Sequence, residues 1–154
     1  MAILKILIDD NPILRRKAQE APKPNKRLRK LASDMLETMY EADGVGLAAP
    51  QIGVSERLIV VDIGQGPLIL LNPRILSHEG TAIDDEGCLS LPGRRGYVTR
   101  FQTISVTGIN LNNRKVSLTA TDLLARVIQH EIDHLDGILF IDYAKKPENE
   151  DSSA

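Results

Sequence analysis

Residues 121–137 contain no proline and carry apolar side chains at helical spacing: Leu123, Leu124, Val127, Ile128, Ile132 and Leu135. This predicts an amphipathic helix. Thr121 or Asp122 is placed to cap its start through a side-chain oxygen, and Gly137 to end it in a left-handed turn. The helix carries His-Glu-x-x-His at His130, Glu131 and His134. Residues four apart share a helix face one turn apart, so His130 and His134 would offer two imidazoles to one metal ion. Glu131 lies beside them, within reach of a proton from a metal-activated water. This spacing therefore points to metal-dependent hydrolysis. The plainer reading is a core helix with incidental polar residues. It is weakened because two of the chain's 3 histidines bracket a glutamate, and buried imidazole and carboxylate both need partners.

A catalytic site of this kind has three protein ligands and one open position. The longer pattern, in which a further histidine follows six residues later, fails because position 140 is Phe140. The residues leave the third ligand open among His78, Cys88, Glu86 and Asp142. A thiolate binds borderline-soft metals well, whereas a lone cysteine can equally be a small buried hydrophobe.

Three separated stretches carry a resemblance to the peptide deformylase family. They are Gly44-Val45-Gly46-Leu47-Ala48-Ala49-Pro50-Gln51, Glu86-Gly87-Cys88-Leu89-Ser90 and Gln129-His130-Glu131-Ile132-Asp133-His134, in the family's order. The resemblance spans about Ile6 to Tyr143. It implies hydrolysis of the N-formyl group from the N-terminal methionine of newly synthesised polypeptides, releasing formate. It also implies Cys88, His130 and His134 as ligands of one metal ion per chain, Fe²⁺ natively with Zn²⁺, Ni²⁺ or Co²⁺ as replacements. Glu131 is then the general base. The Gln51 amide and the Leu89 backbone N–H are the donors to the substrate carbonyl oxygen. Backbone groups of Val45 and Gly87 would pair with the extended substrate, with Gly46 beside them in the binding stretch. Leu123 and Val127 would line the pocket for the methionine side chain, although Arg126 stands where an apolar residue is expected. Glu86 and Arg100 would form an ion pair anchoring the cysteine loop, and Asp133 would be structural. One type within the family carries a longer C-terminal helix, to which this sequence does not extend.

A length of 154 residues suits one domain, read here as a catalytic domain over 1–144 with a polar, disordered tail over 145–154. A net charge of -2 and the absence of tryptophan argue against direct nucleic-acid readout. No apolar run approaches the ~20 residues that span a bilayer. The single cysteine suits a reducing compartment or a metal site, and there is no signal-peptide pattern. A cytoplasmic protein is expected, and a processed organellar form is also compatible. The basic residues between Lys23 and Lys30 read as the solvated face of a helix, with a transient ribosome contact as the alternative.

The remaining pattern is α+β, antiparallel β-sheets packed around a central metal-binding helix. A helix is expected over 25–43, ended by Gly44. Strands are expected over 58–62 and 68–72, with Pro73 breaking the pairing, then over 96–101, 103–108 and 115–120. Residues 138–143 read as an extended run. The competing functional readings are a metallopeptidase cleaving peptide bonds, a binding module with a structural metal, and an inactive relative.

Overall fold

The computed structural model describes residues 2–144, so the expected tail over 145–154 lies outside the described residues. Two helices, α1 (Lys26–Glu41) and α2 (Asp122–Leu135), pack with five strands: β1 (Gly46–Ala48), β2 (Leu58–Val61), β3 (Leu68–Cys88), β4 (Leu91–Ile109) and β5 (Lys115–Thr121). The strands form one antiparallel ladder in chain order, β1 to β5.

β2 explains the arrangement of the core. All four of its side chains are buried, which is why Leu58-Ile59-Val60-Val61 is uniformly apolar rather than alternating. Leu58 and Val60 pack with Leu28, Ala32, Met35 and Met39 of α1. Ile59 and Val61 face the other way, into a cluster with Val127, Ile128 and Leu135 of α2. The sheet is thus held between the two helices, and α2 is fixed by its apolar stripe.

Several local expectations are corrected. Pro73 does not break the pairing. β3 runs through it to Cys88, because one extra residue on β3 between the pairs Leu71↔Ile109 and Arg74↔Thr107 forms a bulge, where a missing N–H is tolerated. Strands 96–101 and 103–108 are one strand, β4. α1 starts at the Asn25 cap, whose side chain accepts from the Leu28 N–H at 2.8 Å. At its other end the left-handed residue is Asp43 (φ 57), not Gly44. Thr121 is the N-cap residue of α2, as expected, but no side-chain oxygen caps the first turn: Thr121 Oγ1 pairs with Thr103 Oγ1 at 3.0 Å, and Asp122 Oδ1 accepts from Gln102 at 3.3 Å. Residues 138–143 are not extended, since Phe140–Asp142 form a 3-10 turn.

The expected end of α2 holds. Gly137 has φ +74, and a Cβ there would sit 2.5 Å from the Arg15 carbonyl oxygen, so both conformation and space require glycine. Among the described residues, no helix is long and apolar enough to cross a membrane.

Candidate metal centre and active site

β3 and β4 form a long hairpin that turns back at Leu89-Ser90, with Cys88 paired to Leu91 at its tip. This tip reaches the polar face of α2. Cys88 Sγ lies 3.2 Å from His134 Nε2. The ligand atoms of Cys88, His130 and His134 all lie within 4.8 Å of one another. The other candidate third ligands are elsewhere. His78 is exposed on β3 and stacks on Phe101 with ring centroids 3.7 Å apart. Asp142 pairs with Arg15 at 2.7 Å. Glu86 sits behind His130, its Oε1 2.9 Å from Nδ1.

That contact fixes the imidazole through the nitrogen not needed for a ligand bond. Glu86 is itself surrounded: Arg100 donates from Nε and Nη2, each at 2.9 Å, and Arg126 from Nη1 at 2.7 Å. Burial opposes its charge, but the Arg100 guanidinium and the His130 imidazole hold its carboxyl well below the usual carboxylate range. Arg100 also donates to Asp133 at 2.6 Å, which leaves Asp133 turned to the arginine rather than to the three-residue cluster.

Two buried polar atoms at the centre have no hydrogen-bond partner, Glu131 Oε1 and His134 Nδ1. Such atoms are rare in folded proteins and point to an unseen polar ligand. Burial pushes the Glu131 carboxyl up to about 7. Burial likewise drives His134 well below the ordinary histidine value, so it is a neutral imidazole. One thiol and two imidazoles form a donor set that suits a divalent, borderline-soft metal, with the partnerless Glu131 oxygen beside it.

The centre opens into a cavity of about 620 Å³, within the range of small-molecule sites. Val45, Gly46, Gln51, Gly87, Leu89, Leu123 and Val127 all line it. Gly46 has a steric reason to be glycine: a Cβ there would sit 2.6 Å from Glu131 Oε2 and 2.8 Å from Val127 Cγ1. The Gln51 amide is oriented from both ends. Its Oε1 accepts from the Ala48 N–H at 2.9 Å, and its Nε2 faces Ser90 Oγ at 3.1 Å and Cys88 Sγ at 3.7 Å. Two participants were not foreseen in the sequence. Ser90 is fully buried beneath Gln51 and carries no sequence signal beyond its place beside Cys88. Arg126 is buried and bonded to Glu86, rather than being an odd residue at a pocket rim; its signal was a cation one turn before His130 on the same face.

The sequence matches the Polypeptide deformylase family over residues 3–150. It is 51% identical over 142 residues to a peptide deformylase of Alkaliphilus metalliredigens, covering 92% of this chain and 97% of that one. It is 54% identical over 145 residues to one of Pelotomaculum thermopropionicum, covering 94% of each. The fold superposes on the crystal structure of peptide deformylase from Thermotoga maritima with a TM-score of 0.91 at 41% identity, covering 93% of this chain and 98% of that one. A peptide deformylase from Synechococcus elongatus, solved in complex with actinonin, gives 0.91 at 42% identity, covering 94% and 80%. These relatives support the reading as an amide hydrolase acting on formylated peptides and lend nothing to a metallopeptidase. The chain belongs to the peptide deformylase family.

Proposed function

We propose that Cys88, His130 and His134 hold one divalent metal ion, Fe²⁺ natively and Zn²⁺, Ni²⁺ or Co²⁺ as replacements, and that Glu131 moves the protons in hydrolysis of the formyl amide. The enzyme removes the N-formyl group from the terminal methionine of newly made polypeptides. The observation that carries the residue assignment is the approach of the three ligand atoms to within 4.8 Å of one another, beside the partnerless Glu131 Oε1. A bound divalent ion would supply Lewis acidity and water activation near neutral pH.

The residues of the chain divide the remaining work. β1 is the edge strand of the sheet, so its free side offers backbone groups to an extended peptide, as an added strand would. Gly46 lies in that strand, Val45 comes just before it with its carbonyl already accepting from the Asp62 N–H at 2.9 Å, and Gly87 lines the opposite wall. Gly46 keeps the approach to Glu131 clear. Leu123 and Val127 receive the methionine side chain, Leu123 at the exposed mouth and Val127 deeper in. Glu131 takes a proton from the attacking water and passes it to the leaving nitrogen, and formate departs. Gln51 Nε2 and the Leu89 backbone N–H donate to the carbonyl oxygen as charge develops there. The loss of one such donor typically lowers turnover by ~100-fold or more. Glu86 and Arg100 support the site by holding His130.

The same reading takes residues 1–144 as one catalytic domain in the cytoplasm, where a lone thiol stays reduced. It includes a transient ribosome contact through the basic residues of 23–30. Three of these are already engaged: Arg27 with Glu56, Lys30 with Asp34 and Arg29 with the Leu111 carbonyl.

The test is formate release from a short formyl-methionyl peptide, using anaerobically prepared, Fe²⁺-loaded protein beside Glu131→Ala. Rapid release that the substitution abolishes supports the assignment. No release from protein shown to hold one equivalent of metal overturns it.

A further inference from the structure

We infer that Arg126 is a positioning residue for the Cys88–His130–His134 centre, clamping the hairpin that carries the thiol to the helix that carries the imidazoles. The inference rests on the metal reading above. Arg126 precedes His130 by one helical turn and His134 by two, so all three project from one face of α2. Its guanidinium is buried. Nη1 donates to Glu86 Oε2 at 2.7 Å and to the Val98 carbonyl at 2.9 Å, and Nη2 donates to the Ala82 carbonyl at 2.9 Å. Ala82 belongs to β3 and Val98 to β4. One helix residue thus holds both strands of the hairpin whose tip is Cys88.

Arg126 also acts on His130 through Glu86. Arg100 contacts both Glu86 oxygens but is shared with Asp133. Arg126 adds a second cation at Oε2, while Oε1 faces His130 Nδ1. With both ends of the carboxylate held, the imidazole keeps one orientation. Packing does not account for this residue. A buried guanidinium is costly unless its donors are matched, and an apolar side chain would line the cavity wall without that requirement. The Arg126 donors meet three acceptors, each of them on an element that positions a ligand.

The test compares wild type, Arg126→Met and Arg126→Lys as Co²⁺-loaded proteins. Ile104→Val, a change in the buried core cluster away from the cavity, serves as a control for lowered stability. The readouts are the rate of Co²⁺ transfer to excess chelator, the thiolate-to-cobalt charge-transfer band, and the thermal midpoint. Loss of a residue that orients metal ligands typically weakens metal binding about 10–100-fold. Arg126→Met is therefore expected to release Co²⁺ about 10-fold faster or more and to show an altered band. Arg126→Lys is expected to fall between Met and wild type, and Ile104→Val to release at the wild-type rate. Should Arg126→Met fail to fold, the Lys variant carries the comparison. Release from the Arg126 variants within about two-fold of wild type, far below that range, overturns the inference, as does equal acceleration in Ile104→Val. A wild-type protein that takes up no cobalt overturns the metal reading itself, a result distinct from a normal wild type with unaffected Arg126 variants.

Discussion

His130 Nδ1 lies 2.9 Å from Glu86 Oε1, so the carboxylate that opens the second motif orients the first histidine of the third. Removing that carboxylate leaves two buried arginines facing each other and His130 unheld. Breaking a buried ion pair by deleting one partner costs about 3–5 kcal/mol. Glu86→Ala should lose about that much in a urea titration and should retain less metal after desalting. A variant with wild-type stability and one full equivalent of metal would show that Glu86 does not support the site.

Glu131 should separate stability from activity. Its Oε1 is buried without a partner, and a buried carboxyl is harder to accommodate than an amide of the same shape. Glu131→Gln is therefore expected to be at least as stable as wild type while losing about 100- to 10,000-fold in kcat. Thermal melts and formate-release kinetics on the same preparation check both halves. Activity within tenfold of wild type would remove Glu131 from the reaction.

Gly46→Ala places a methyl group 2.6 Å from Glu131 Oε2 and 2.8 Å from Val127 Cγ1, so one of them must move. Overpacking of this kind typically costs about 1–3 kcal/mol, and misplacing a catalytic group by about 1 Å costs on the order of 100-fold in rate. The expected result is a well-folded protein with bound metal and rate reduced by about that factor. Full activity would show that the cavity wall yields freely.

The Arg15–Asp142 pair gives a pH-dependent test away from the metal centre. The Arg15 guanidinium holds the Asp142 carboxyl below its ordinary value, so the folded state prefers the charged form. That stabilisation is present above the unfolded value of about 3.9 and is lost as pH falls through the lower folded value. Asp142→Asn should therefore be less stable than wild type at pH 7, and the difference should shrink in acid. Both side chains are more than a third exposed, which keeps the effect below about 1 kcal/mol. A gap that widens in acid would contradict the pairing.

The loss of metal affinity on Cys88→Ala separates this centre from one completed by another ligand. Of the four residues weighed as third ligand, Cys88 is the one that joins the histidines. Cys88→Ala should bind less than one equivalent of Co²⁺ and lack a charge-transfer band, while Asp142→Asn and His78→Ala should retain both.

Features that depend on neighbours along the chain were legible in the amino-acid order. The apolar spacing from Leu123 to Leu135 made α2 a helix, and the four-residue interval put His130 and His134 on one face. Gly137 ended the helix because its positive φ is a property of one residue. The four-residue apolar run 58–61 likewise read as a strand. Features that depend on pairing between distant segments emerged only in the folded chain. Pro73 sits in a strand because a bulge formed against β4 removes the need for its N–H. Residues 138–143 turn rather than extend because Phe140 packs into the cluster with Leu91 and Val98. Cys88 reaches His134, 46 residues away, through the register of the β3–β4 hairpin, and the partners of Arg126 lie on that same hairpin. Local periodicity follows from backbone geometry and can be read from one segment. The resemblance alone pointed to Cys88; its approach to His130 and His134, and the contacts around Glu86, needed the closure of long loops, which no single segment specifies.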